Sequence, residues 1–457
     1  MVAISDEAGM FGFLSNSERQ LAAARRVIQH IAESGDLPVS VRLWDDSEIP
    51  LGTKAVETGL TVAIRSPGVI SALVKWPTLD HFVRQYATGG IEIEGGDLIA
   101  FGHAIRSASK RPKFKTLKKS ILIPAIVPFL FGKGDDGKVR ESYGGQCEQV
   151  APEARQDKDY IQFHYDLGND FYKLFLDSEM VYSCGYFTDE TNSLDQAQYD
   201  KLDMICRKLR LSSGERFLDI GCGWGGLVCH AARNYGVKAF GVTLSQAQHD
   251  FAQEKIKRLG LQDKVTVELR DYRDVEGTFD KIASIGMYEH VGLANYDTYF
   301  SKLNSLLRDR GILLNHGITR PAKAPGKRRK RPEQKLIAKY IFPGGELDNI
   351  GHTVQSIETN KFQVHDVEGW TRHYMLTTAH WCQRLSANRE QAIRMVGPER
   401  YRLWVAYLAG VSFGFHDGVI QIYQVVASKH ARRGLSELPL TRNDLYAPRN
   451  SISRKIA

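Results

Sequence analysis

The chain lacks several features that would declare a function at once. Its six cysteines stand at positions 147, 184, 206, 222, 229 and 382. None is spaced as C-x-x-C, so neither a zinc site nor a disulfide framework is expected, and reduced thiols point to a cytoplasmic protein. The first residues, Met-Val-Ala-Ile-Ser-Asp-Glu, show no basic region followed by an apolar one, so no secretory signal is expected. The apolar run from Ile121 to Phe131 is far shorter than the roughly 20 residues that span a bilayer, and two prolines interrupt it. Acid is the scarcer charge. Against 61 Lys and Arg there are 53 Asp and Glu, a net charge of +8, which favours an anionic partner. Nucleic acid and an anionic membrane surface both qualify.

What is present divides the chain. At 457 residues, two or three domains with sizeable cores are expected. Residues 1 to about 107 read as a small α+β unit. Ser17–Glu33 has helical spacing, Val39–Trp44 and Leu60–Arg65 read as strands, and Trp76–Gln85 reads as a helix. Gly89–Asp97 reads as a turn and strand whose alternation of apolar and acidic residues suits one buried face. Lys110, Arg111, Lys113, Lys115, Lys118 and Lys119 then crowd together ahead of the apolar run at 121–131. Such a segment either lies on an anionic membrane or docks on the core as an ordinary helix. The boundaries read from this pattern are 1–131 for an N-terminal, membrane-contacting domain, 132–158 for a glycine-rich charged linker and 159–457 for the catalytic domain. A basic stretch at Lys323–Arg331 has no nucleic-acid recognition motif beside it, so no nucleic-acid partner is expected.

The densest information lies at 217–227, Phe-Leu-Asp-Ile-Gly-Cys-Gly-Trp-Gly-Gly-Leu. An apolar strand ends in a glycine turn and a helix follows. Glycines let the backbone turn tightly and approach a ligand. Gly221, Gly223 and Gly226 match G-x-G-x-x-G, a weak dinucleotide signal alone. About 20 residues on, where a dinucleotide enzyme places an acid for the ribose, the chain reads Gly-Val-Thr-Leu-Ser-Gln, with no acid. Asp219 precedes the first glycine by two, where a carboxylate can face a cation. Together these features resemble the S-adenosylmethionine (SAM) site of class I methyltransferases. Further strands are expected at 237–242, 265–269, 279–285 and 311–316, with helices at 226–235, 245–259 and 296–308 between them. This alternation implies a doubly wound, mostly parallel sheet. Two last strands are expected at 362–367 and 418–427. The expected architecture is α/β: a seven-stranded class I methyltransferase sheet with a smaller N-terminal α+β domain.

The expected SAM contacts are Asp219, Gly221 and Gly223 at the turn and Thr243, Leu244 and Gln248 after the second strand. Asp271 and Tyr272 after the third strand are placed at the adenine. Glu289, in Gly286-Met-Tyr-Glu-His-Val-Gly292, follows the fourth strand, where ligands bind in such sheets.

The resemblance then becomes specific. Phe163-His-Tyr-Asp-Leu-Gly-Asn-Asp-Phe-Tyr, Tyr182-Ser-Cys-Gly-Tyr-Phe, Leu218-Asp-Ile-Gly-Cys-Gly-Trp-Gly, Met287-Tyr-Glu-His-Val-Gly, Tyr340-Ile-Phe-Pro-Gly-Gly and Gln424-Val-Val occur in order. Jointly they resemble the cyclopropane-fatty-acyl-phospholipid synthase family over about 160–430, while the N-terminal unit resembles that family's smaller domain loosely. The resemblance implies methyl transfer from SAM to a cis double bond of a phospholipid acyl chain. The resulting carbocation then loses a proton to a bound bicarbonate and closes a cyclopropane ring. It places Cys184, Glu289, His316, Tyr407 and the backbone of Ile318 around that anion, and adds Tyr182 and Ser183 to the SAM contacts. It also implies a homodimer, peripheral on the inner face of the plasma membrane, with the anionic phospholipid bilayer as substrate. The family more often has Ala at Gly185 and Phe at Tyr288, and the acyl position and product stay open. A methyl-branching or methylene-forming relative and a small-molecule N-methyltransferase are the alternatives.

Overall fold

The structure, a computed structural model, describes residues 15–109, 117–135, 137–139, 164, 167–322, 332–431 and 436–447. The chain forms two compact units. One comprises residues 1–142, 331–336 and 386–409, and the other 143–330, 337–385 and 410–457. Most of the expected linker at 132–158, the basic stretch at 323–331 and Lys110 to Lys115 lie outside the described residues.

The first unit opens with the helix Asn16–Ser34. Ser15 and Glu18 form a reciprocal capping box there, which satisfies two backbone amides that a helix start leaves unpaired. Strands β1 (Ser40–Arg42), β2 (Glu48–Pro50), β3 (Thr61–Ile64) and β4 (Ile91–Glu94) make a sheet in the order β2-β1-β3-β4. These are the strands expected near 39–44, 60–65 and 89–97, with β2 added as a hairpin partner of β1. The helix expected from Trp76 begins instead at Leu79, because Thr78 caps it by accepting the amide of His81. The apolar run at 121–131 lies in a helix, Lys119–Leu130. Ala125 and Phe129 are buried, while Ile123, Ile126, Val127 and Leu130 are exposed.

The second unit is built on one seven-stranded sheet. Its strands are β5 (Arg216–Ile220), β6 (Lys238–Thr243), β7 (Val265–Leu269), β8 (Phe279–Ile285), β9 (Leu307–Thr319), β10 (Phe362–Gly369) and β11 (Gln421–Lys429). The order is β10-β11-β9-β8-β5-β6-β7. All neighbours are parallel except β11, which runs antiparallel to both β9 and β10. Strand residues alternate between two cores. Phe217, Ala283 and Leu314 pack on one face with Leu202, Val228 and Ala252 from the helices Leu194–Lys208, Gly226–Tyr235 and Gln246–Arg258. Leu218, Ile282 and Leu313 pack on the other with Tyr299, Leu303 and Ile357 from the helices Tyr296–Leu306 and Ile350–Thr359. Both faces of the central strands are therefore covered, whereas the edge strand β7 alternates buried Val265 and Val267 with exposed Thr266. The sheet is the expected α/β architecture. No helix among the described residues is long and apolar enough to cross a membrane.

Candidate active site

A cleft opens at the carboxyl ends of β5, β6 and β8, where ligands bind in sheets of this kind. Its floor is the turn after β5. Gly221 and Gly223 have φ of +77° and +53°, a region that side chains strongly disfavour. The amides of Gly221 and Cys222 both donate to the carbonyl of Val242, which ties the turn to β6. A Cβ at Gly221 would stand 3.0 Å from the Met287 side chain, whereas nothing lies within 4 Å of one at Gly223. The turn thus leaves bare backbone facing open space, as a tightly approaching ligand requires.

The cleft gathers Tyr182, Ser183, Asp219, Gly221 and Gly223 with Thr243, Leu244, Gln248 and Tyr272. Thr243 acts through Gln248: its hydroxyl donates to Gln248 Oε1 at 2.8 Å. That bond orients the amide, with its oxygen held by Thr243. Asp271 does not line the cleft. Its carboxylate caps the short turn after β7 and is held by the Arg273 amide and guanidinium, so its neighbour Arg270 takes the cleft position.

Asp219 Oδ1 is buried with no hydrogen-bond partner among the described residues. Burial pushes its pKa up to about 7, against the opposing charge of Lys201. Lys201 was not anticipated. It is buried on Leu194–Lys208, donates to Ser183 Oγ at 2.8 Å, and is drawn down to about 8 by burial. The sequence does hold a faint sign of it: a lysine one turn from Ala197 and Ile205 on the face the helix buries.

Beyond this cleft lies a drier group of polar side chains. His316 and Ile318 are two apart on β9 and so share one face of the sheet. His316 meets the Trp370 ring edge-on at 5.3 Å, and Cys184 packs in the same cluster as Trp370 and Ile318. The Cys184 thiol points at the carbonyl of Gly185, at 3.2 Å, and burial raises its pKa further from ionisation. It is a packing group, not a nucleophile. Glu289 lies in the short helix Tyr288–Val291 after β8. Its Oε1 accepts the Ile318 amide at 2.7 Å, so Ile318 contributes backbone to the carboxylate itself. Its Oε2 is buried without a partner among the described residues, as is His316 Nε2. Burial raises Glu289 to about 7 and holds His316 well below the usual histidine value. Tyr288, where a Phe is more usual, donates its hydroxyl to the Ile318 carbonyl at 3.1 Å. One peptide segment is thereby clamped from both sides. Cys184, Glu289, His316 and Ile318 are thus brought together. Tyr407 lies in the helix Pro398–His416 within the first unit, where its ring meets Trp404 edge-on.

The polar groups fit the two ligands expected. Open glycine backbone and an unpartnered buried carboxylate suit a cationic nucleoside. An unpartnered imidazole nitrogen and carboxyl oxygen suit a small hydrogen-bearing anion.

Comparison with known proteins agrees. The family described as mycolic acid cyclopropane synthetase matches residues 153–425. A probable fatty acid methyltransferase of Pseudomonas putida is 37% identical over 416 residues, covering 91% of this chain and 98% of that protein. The cyclopropane-fatty-acyl-phospholipid synthase of Escherichia coli K12 is 41% identical over 272 residues, 60% of this chain and 68% of that protein. The solved structure of the mycolic acid cyclopropane synthase CmaA1, complexed with SAH and CTAB, superposes with a TM-score of 0.57 at 34% identity, covering 61% of this chain and 100% of that one. The chain therefore belongs to the mycolic acid cyclopropane synthetase family and is a SAM-dependent methyltransferase.

Proposed function

We propose that the protein transfers a methylene unit from SAM to a cis double bond in a phospholipid acyl chain and closes a cyclopropane ring. The observations that carry this reading are two buried polar atoms without partners among the described residues, Glu289 Oε2 just after β8 and His316 Nε2 on β9, next in the fold to the Ile285–Met287 wall of the SAM cleft. A carbocation formed there needs a fixed base in place of a mobile water, which would hydrate it. Bicarbonate, when bound, supplies the base that removes the proton from the new methyl group. The chain's own residues hold it: His316 donates from Nε2 and Glu289 accepts at Oε2. The Ile318 amide keeps the Glu289 carboxylate aimed.

The membrane is the proposed source of substrate. Ile123, Ile126, Val127 and Leu130 are spaced as one helical stripe and are exposed, with Phe131 87% exposed beyond them. Lys118 and Lys119 at the start of that helix are exposed as well. An apolar stripe with cations beside it suits the surface of an anionic bilayer. Flotation with anionic vesicles should carry the protein up, and Ile123→Asp with Phe131→Asp should leave it behind.

A sibling reaction has an observation of its own: two relatives matched over 91% of this chain are described as probable fatty acid methyltransferases. Mass spectrometry of lipids from expressing cells separates the two. One added CH2 with the ring confirmed by fragmentation is expected. An open methyl branch would favour the sibling, and no mass change would refute both.

A further inference from the structure

We propose that Gln424 and Lys208 are positioning residues that hold His316 as the neutral ring protonated on Nε2, so that it presents a donor toward the anion. This rests on the reading of His316 given above. The Gln424-Val-Val motif carries no role in that reading, and the geometry supplies one.

Gln424 on β11 stands directly opposite His316 on β9 in the antiparallel pair, and both are fully buried. Gln424 Nε2 lies 2.8 Å from His316 Nδ1. That contact alone has two senses, because an amide can present either its oxygen or its NH2 group. Lys208 removes the choice. Its ammonium can only donate, its side chain is wholly buried, and it lies 2.7 Å from Gln424 Oε1. With the amide oxygen facing the ammonium, the NH2 group must face the imidazole. An NH2 group only donates, so Nδ1 is the bare, accepting nitrogen and the ring proton resides on Nε2.

The anchor of this relay is itself held. Lys208 is ion-paired to Glu368 and lies 5.2 Å from the centre of the Trp370 ring, which in turn meets His316. A ring protonated on Nδ1 would set two donors against each other in a buried place, which costs the desolvation of an unmade hydrogen bond. Burial, followed by the charges of Lys201, Lys208 and His373, opposes the doubly protonated ring. The proton left on Nε2 has no partner among the described residues, as a donor kept ready for a bound anion requires.

The test is long-range 1H–15N spectroscopy of the full-length protein, with the His316 ring signals identified by their loss in His316→Asn. The wild type should show a bare Nδ1 and a protonated Nε2. Gln424→Glu keeps an acceptor for Lys208 but offers only oxygens to the ring. It should move the proton to Nδ1 and lower methyl transfer about a hundredfold, with SAM affinity unchanged. Lys208→Met should yield a mixture of both neutral forms, and Lys208→Arg should restore the wild-type form. A wild-type ring protonated on Nδ1 overturns the relay whatever the substrate is, and so does a Gln424→Glu ring still protonated on Nε2. A moved proton with unchanged turnover would instead overturn His316 as the anion's donor, which separates failure of the relay from failure of the underlying reading.

Discussion

The two halves of the catalytic unit are built by opposite means. The floor of the SAM cleft is backbone, a glycine turn at positive φ at the end of β5, with side chains such as Asp219 and Gln248 only around it. The neighbouring half is made of side chains, Glu289 and His316, each with one polar atom buried without a partner among the described residues. A cleft of the first kind needs only local geometry and tolerates its surroundings. A pocket of the second kind is unfavourable in itself, since unpaired buried polar groups cost stability, and it persists because the fold around it is rigid. Ligand approach governs one half and enforced desolvation the other.

Substitutions should therefore fail differently in the two halves. The largest effect is expected from Glu289→Gln, which keeps the shape and the Ile318 bond but removes the carboxylate. Turnover should fall by roughly 10²–10³, while SAM titrated by calorimetry binds as before. Unchanged turnover would break the comparison. Gly221→Val should do the reverse. A β-branched residue at φ +77°, with its Cβ against Met287, should weaken SAM binding at least about tenfold, since such a backbone costs 1–2 kcal/mol before any clash. Wild-type affinity would remove the turn from the site.

The clamp between the halves gives a stability effect. A Cβ on Gly317 would fall 1.7 Å from the Tyr288 ring, so Gly317→Ala should destabilise the protein by about 1–3 kcal/mol in chemical denaturation. A neutral result would mean that Tyr288 moves freely. The smallest effect is one of pH. Glu289 is raised from 4.5 to about 7 in the folded state. Its contribution to stability is complete below about pH 4.5, declines as pH rises toward 7, and is absent above. Glu289→Gln lacks this loss, so it should gain on the wild type progressively between pH 5 and pH 8. A constant difference across that range would mean that Glu289 is ionised throughout.

Much of this was legible along the chain. The helix at Gly226–Tyr235 was expected at its observed bounds, and the strands β5 to β8 lie where their apolar runs suggested. Nine of the ten expected SAM contacts line one cleft, because turn residues act on what is next to them. Asp271 illustrates the limit. Its position after β7 was right, yet Arg273 two residues on took the carboxylate. Lys201 was missed for the opposite reason: a lone lysine on a helix belongs to no motif, and only packing shows that it meets Ser183. Tyr407 was reached through resemblance alone, and its place in the other compact unit is not written in its neighbours along the chain.

The sequence by itself determined the alternation of strands and helices, the glycine turn and, through joint motifs, the family. These depend on spacings of a few residues, which periodicity and backbone sterics control directly. The tertiary structure alone decided which polar groups lose water and which keep a partner. Ile318 reaches Glu289 across 29 residues, Gln424 reaches His316 across 108, and Lys208 reaches Gln424 across 216. Desolvation and hydrogen-bond polarity are set by the whole set of neighbours in space, so the state of His316 exists only once β11 has paired with β9.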